Sequence, residues 1–204
     1  MRKLVVLAGL LAVWMAPVRA QDAPDKPEPE AKGKKVSIPK FELSAGYAYR
    51  SYGIRPGGSS LAMNGGYGSV DYNYDRWLGA EAEVVGVYKD QGVLGKTDIY
   101  TFLVGPRVYP LGHHKLTPFG HLLFGAGRYS KAKPSYGGFP AQYLHDTAFA
   151  WEGGGGLDLY LRKHLGVRLI EVDLGHTGFA SDNPTRSQSE RRISVGIVYR
   201  FGER

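Results

Sequence analysis

The chain contains no cysteine among its 204 residues. That absence rules out a lipoprotein anchor, which needs a cysteine directly after the leader. It leaves export itself open, because an exported domain can do without disulfides. Long apolar runs are also missing beyond the first residues, so no helix is expected to span a membrane. Charge of one sign is in short supply too. Without Arg2, Lys3 and Arg19, the formal charge of +7 falls to +4, which is too mild and too scattered to attract nucleic acid.

What is present begins with the anatomy of a leader. Arg2 and Lys3 precede an apolar stretch from Leu4 to Ala16, and Val18-Arg19-Ala20 places compact residues where a signal peptidase reads. The apolar stretch is short of the roughly 20 residues that a spanning helix requires, so residues 1–20 are read as a signal peptide cut between Ala20 and Gln21. Residues 21–40 (QDAPDKPEPEAKGKKVSIPK) have almost nothing to bury. They are expected to form a disordered, partly extended periplasmic linker. The folded body is then residues 41–204, one domain in size.

Within that body, apolar and polar residues alternate strictly in eight segments of about ten residues. In the first, Phe41, Leu43, Ala45, Tyr47 and Tyr49 oppose Glu42, Ser44, Gly46 and Ala48. Segments follow at about 66–74, 78–84, 98–109, 116–129, 147–159 and 166–174. The last sets Ile193, Val195, Ile197, Tyr199 and Phe201 against Ser194, Gly196, Val198 and Arg200. Carboxylates sit singly between apolar neighbours, as Glu81 and Glu83 do among Ala80, Ala82 and Val84, which a helical period does not explain. Short connections at 75–76, 111–115 and 161–164 alternate with long ones at 50–64, 89–96, 130–146 and 177–191.

These features predict an all-β protein, an eight-stranded antiparallel up-and-down transmembrane β-barrel in a bacterial outer membrane. A soluble barrel of the same size would carry an outer face rich in exposed charge. Here the polar face is instead crowded with glycine and acids. The apolar face has aromatic residues near segment ends, among them Tyr47, Tyr49, Tyr72, Tyr74, Trp77, Tyr109, Tyr160 and Tyr199, as suits two headgroup interfaces.

The body resembles the small outer-membrane β-barrel family typified by OmpA and OmpX, over essentially all of residues 41–201. The matching stretches are Arg76-Trp77-Leu78-Gly79, Gly105-Pro106-Arg107, Pro118-Phe119-Gly120-His121 with Phe124-Gly125, Ala148-Phe149-Ala150 with the run Gly153 to Asp158, and Val167-Arg168-Leu169-Ile170. The ending Ile197-Val198-Tyr199-Arg200-Phe201 is similar to the family's terminal strand signal. The resemblance thus implies recognition by the barrel-insertion machinery through Tyr199 and Phe201. Gly202-Glu203-Arg204 follow the aromatic residue that usually closes the chain. A cell-wall-binding domain is no part of the resemblance.

Parity places Glu42, Asp71, Glu81, Glu83, Glu152, Asp158, Glu171 and Asp173 on the inward face, with Arg107, Arg200 and His121. An eight-stranded barrel is just wide enough for side chains to fill, and buried charges must be paired or hydrated. The first reading is therefore a polar network that plugs the lumen; the alternative is a narrow pore that prefers cations, since acids outnumber bases. A lipid A-modifying hydrolase is a weaker alternative. Barrels of that kind use a His with a Ser two positions on, whereas His176 is followed there by Gly178 and Ser181 lies further into the loop.

His113-His114 reads as a solvated turn, with no third ligand for a metal. The glycines 153–156 lack the Lys-Ser/Thr of a phosphate loop and read as room for a bending wall and bulky inward neighbours. No catalytic, cofactor or metal site is expected. The long loops carry Arg50, Arg55, Lys89, Lys96, Lys131, Lys133, Arg186, Arg191 and Arg192. These could meet lipopolysaccharide phosphates or an unidentified external ligand, and outer-membrane lipid is the remaining partner. The insertion signal is testable. Phe201→Ala should lower the amount of barrel assembled in the outer membrane, measured by quantifying folded protein in membrane fractions; unchanged assembly alongside a complete loss in Tyr199→Ala would move the signal to Tyr199.

Overall fold

The computed structural model of the chain describes residues 38–53, 61–90, 92, 95–133, 142–179 and 188–203. The expected leader and cleavage site, nearly all of the expected linker, and Arg55 and Arg186 lie outside the described residues. Eight strands follow in chain order: β1 (Pro39–Gly53), β2 (Leu61–Asn73), β3 (Leu78–Asp90), β4 (Lys96–Val108), β5 (Leu116–Lys133), β6 (Gln142–Tyr160), β7 (Leu165–Thr177) and β8 (Gln188–Glu203). Each pairs antiparallel with the next, and β8 returns to β1 to close the barrel. The first strand begins ahead of the expected domain start, because Pro39 already pairs with Glu203 across the closing seam.

The register determines the shape. From Leu43 the pairing runs through Val70, Ala82, Val104, Phe124, Trp151, His176 and Ser189, and returns to β1 at Gly53, ten residues further along. A stagger of this kind requires strands tilted by roughly 35–45° to the barrel axis. Alternation then decides the two faces. Val104 and Ile197 are each 61% exposed on the outer wall, while Glu42, Asp71 and Arg107 are fully buried inside. An apolar wall around a charged interior is the arrangement of a barrel in lipid.

Among the described residues, a bulge in β7 breaks the alternation. In β7, Leu169 and Ile170 both face outward, and the pairing shifts between Arg168 and Glu171. This bulge inserts one extra residue, so Arg168, which a continuous pattern would place on the lipid face, points inward and is fully buried. Two aromatic residues expected at the membrane interface also turn inward. Tyr109 and Tyr160 share the parity of Arg107 and Asp158, and their rings lie inside the barrel.

The strands also run further toward the long-loop end than the alternation suggested. Residues 130–133 and 142–146, expected in a loop, continue β5 and β6 as a paired hairpin. Above the bilayer both faces meet water, so pairing persists while the alternating pattern fades.

The short-turn end is knitted into a continuous rim. The Tyr109 amide donates to the Trp77 carbonyl at 2.8 Å, Tyr160 to Lys115 at 2.7 Å and Arg200 to His164 at 2.8 Å. In the β2–β3 turn the Asp75 carboxylate accepts from the amides of Trp77 (2.6 Å) and Leu78 (2.8 Å), and these bonds hold its carboxyl below the ordinary value. An aromatic ladder crosses the seam just above, with Phe201 stacked on Phe41 at 5.3 Å and Phe41 packed on Tyr72 at 5.1 Å.

A closed sheet leaves no edge for detergent or denaturant to open. Unboiled protein should therefore migrate differently from boiled protein on a denaturing gel, with β-rich circular dichroism in detergent. Identical migration, together with helical dichroism, would contradict closure.

Candidate functional site: the barrel lumen

All eleven residues assigned inward by parity lie in the interior, where they form a ladder of ion pairs along the barrel axis. At the short-turn end, Glu42 on β1 accepts from Arg200 Nε (2.9 Å), Asn73 (3.3 Å) and the Tyr160 hydroxyl (3.1 Å). His113 is buried here, with Nδ1 3.4 Å from Glu42 and 3.3 Å from Arg200. The expectation of a solvated His113-His114 turn therefore holds only for His114. Gly112 takes a positive φ of 68°, which folds the turn back and tucks His113 beneath the Tyr109 ring at 4.3 Å.

Arg107 on β4 forms the next tier. One terminal nitrogen donates to Asp71 at 3.0 Å and lies 3.2 Å from Glu81; the other donates to Asp158 at 3.3 Å. Asp158 is shared with Arg168, whose Nε donates to it at 3.0 Å, and Arg168 also reaches Glu171 at 3.3 Å. Both guanidinium groups lie over the Phe119 ring, at 3.7 and 4.5 Å from its centre. The facing glycine of β6 makes this possible, since a Cβ on Gly156 would stand 2.7 Å from the ring. The glycine run thus serves the fit of a bulky inward neighbour.

His121 on β5 joins this tier to the next. Its Nδ1 is 2.7 Å from Glu81 and its Nε2 is 2.7 Å from Asp173. Two carboxylate partners can both accept only if the ring donates from both nitrogens. Asp173 in turn accepts from Arg192 Nε at 3.0 Å; Arg192 also donates to Glu83 at 2.8 Å and lies 3.2 Å from Glu152. Glu152 accepts from Arg50 at 2.5 Å, and Arg50 also donates to Thr101 and approaches Glu190.

Three cations of this ladder escaped the sequence reading. Arg50 and Arg192, assigned to loops, are buried within β1 and β8. Their parity matches that of Glu42 and Arg200, and only the segment ends drawn too short kept them out. Arg168 needed the bulge. The interior also has an apolar part: Ala48, Tyr52, Met63, Tyr67, Val85, Val87, Ile99 and Phe179 pack together toward the loop end. The signal was the run Val84-Val85-Gly86-Val87, in which both faces of β3 become apolar.

The lumen holds nine buried carboxylates against five arginines and two histidines among the described residues. Glu81, His121 and Glu171 come near enough to surround an ion, but Arg107, Arg168 and Asp173 already engage them. On the outer wall His176 stands opposite Ser189 across β7–β8, while Glu190 beside that serine points inward. Lys96 is exposed and pairs with Asp90 at 3.6 Å, and Arg191 is exposed, whereas Lys89 and Lys131 are half-buried.

A family model described as outer membrane protein beta-barrel domain matches residues 8–201. Among solved structures, Ail, the attachment invasion locus protein of Yersinia pestis, is 17% identical with a TM-score of 0.60, over 80% of this chain and 99% of that one. Neisserial surface protein A is 12% identical with a TM-score of 0.64, over 79% of this chain and 97% of that one. A further structure of Ail holds the heparin analogue sucrose octasulfate, at 17% identity, a TM-score of 0.57 and coverage of 80% and 99%. No curated protein gave a match.

Arg107 tests the ladder. Breaking a buried ion pair by removing one partner costs about 3–5 kcal/mol, and here one side chain serves three carboxylates. Arg107→Ala should lower the folding free energy by about that amount in urea titrations of barrel refolded in lipid. An unchanged unfolding curve would mean that the pairs contribute nothing.

Proposed function

The chain belongs to the outer membrane protein β-barrel domain family and resides in a bacterial outer membrane, and from that premise we propose that it serves there as a closed structural barrel whose loop end, not its lumen, meets ligands. The observation that carries this reading is the fully buried Arg107 guanidinium, held among Asp71, Glu81 and Asp158 and against Phe119. An ion crossing the barrel would have to break these contacts and then pass the apolar cluster above them. In this reading the residues assigned to the lumen are a network that holds the barrel rigid from within.

The loop end supplies the surface for interaction. Lys96, Arg128 and Arg191 are exposed near the upper ends of their strands, at the level where lipopolysaccharide phosphates lie, and cations can pair with such anions. The heparin analogue bound to Ail lends weight to an anionic saccharide as a ligand of this end. The reading includes a leader cut between Ala20 and Gln21, residues 21–40 as a periplasmic spacer, and assembly by the barrel-insertion machinery through Tyr199 and Phe201. It includes no catalysis. Glu190, the carboxylate next to Ser189, is turned into the lumen and away from the outer-wall face where His176 and Ser189 stand, which weighs against nucleophilic serine chemistry there.

One observation favours a second reading. The excess of carboxylates over arginines in the lumen would select cations if the ladder opened, giving a small cation-preferring pore. Planar-bilayer recording separates the two. The closed barrel should show rare, brief openings or none, and Arg107→Ala should increase them with a preference for cations. Steady, frequent openings of the unsubstituted protein would overturn the closed reading.

A further inference from the structure

The short-turn end carries an unexplained charge asymmetry. Its three turns expose Arg76, Lys115, Arg162 and Lys163, with His114 beside them. The acid described in these turns is Asp75, and its carboxylate is taken up by the amides of its own turn. Among the described residues, Arg76, Lys115 and Arg162 are exposed and stand apart from the buried lumen ladder. At the loop end, by contrast, the exposed outer-wall charges are mixed, with Asp90 paired to Lys96.

The position of these cations narrows the partner. The backbone bonds that knit the rim hold the three turns against one another. Exposed apolar residues adjoin the cations in sequence: Trp77 follows Arg76, Leu116 follows Lys115, and Leu161 precedes Arg162. Those apolar side chains belong in the bilayer, so the cations lie at the depth of the headgroup phosphates. The Arg76 guanidinium lies over the Trp77 ring at 5.1 Å, which fixes one of them at that interface. With an even strand count, β1 begins and β8 ends on this side, so the leaflet is the periplasmic one.

We infer that the periplasmic rim is a binding surface for anionic phospholipid headgroups, with Arg76, Lys115 and Arg162 as the principal contacts. Basic residues at a membrane surface attract anionic lipids, and the attraction falls off within a Debye length. Such a surface would hold the barrel's depth in the leaflet it faces. The inference depends on the membrane topology and not on whether the lumen is closed.

The protein carries its own reporter. Its three tryptophans are Trp14, Trp77 and Trp151, so Trp14→Phe with Trp151→Phe leaves Trp77 as the sole indole, whether or not the leader has been removed. The full chain is refolded into phosphatidylcholine vesicles containing brominated phosphatidylglycerol or, at equal mole fraction, brominated phosphatidylcholine. The brominated anionic lipid should quench Trp77 as though bound about threefold more tightly or better, and high salt should remove the difference.

Replacing Arg76, Lys115 and Arg162 together by Gln should also remove it, with the gel shift of the folded barrel retained. A companion reporter, Trp14→Phe with Trp77→Phe, leaves Trp151 on the apolar wall and should show no preference. Equal quenching of Trp77 by the two lipids would overturn the inference, as would a preference that survives the triple substitution or high salt. Arg76→Lys, which keeps the charge, should retain the preference; its loss there would assign the effect to packing on Trp77 and overturn the electrostatic account.

Discussion

The constraint on which the rest depends is that no backbone amide or carbonyl can be left unpaired in hydrocarbon. A sheet meets it only by closing, and closing with eight strands and a stagger of ten residues sets a narrow interior. Everything inside must then be filled by side chains of the chain itself. The outer wall has a looser requirement, since any apolar side chain satisfies it. Much of what is particular to this protein therefore lies in the lumen and at the two ends.

Within the lumen the charges are arranged so that most carboxylates serve two cations. Asp158 joins Arg107 to Arg168, Glu81 joins Arg107 to His121, Asp173 joins His121 to Arg192, and Glu152 joins Arg192 to Arg50. Sharing of this kind offsets the cost of burying charge, because each ion meets several partners in a medium that screens little. It also makes the pieces interdependent, since the loss of one cation exposes several acids to one another. The apolar cluster lies beside the upper tiers, with Ala48 and Tyr52 flanking Arg50 on β1 and Met63 opposite it, and adds cohesion of another kind.

The two rims differ in what they present. The short-turn rim is bound together by backbone hydrogen bonds and bordered, across the β8–β1–β2 seam, by the aromatic ladder of Phe41, Tyr72, Tyr199 and Phe201. Its exposed charges are nearly all positive. At the other end the β5–β6 hairpin extends beyond the wall and carries charges of both signs. One end is thus built to sit in a lipid interface, and the other to project from it.

Alternation with period two and the rhythm of short and long connections were enough to read eight antiparallel strands, closure and the apolar outer wall, because lipid imposes these on the part of every strand that crosses it. The same parity located Glu42, Glu83, Arg107, His121 and their neighbours on the inward face. It fell short wherever the cause was not local. Arg168 turns inward through a bulge that is visible only in the pairing of β7 with its neighbours. Arg50 and Arg192 keep the inward parity of Glu42 and Arg200 and are fully buried, but they lie in strand that runs on into what composition marks as loop. Tyr109 and Tyr160 resemble interface residues by composition, although the parity they share with Arg107 and Asp158 already turns them into the barrel, where they are buried. Which acid meets which cation was beyond the sequence altogether. Glu42 and Arg200 are far apart in the chain and come together only when β8 pairs with β1, so the ion-pair ladder is a product of register and closure, while the supply of charges for it was already written in the alternation.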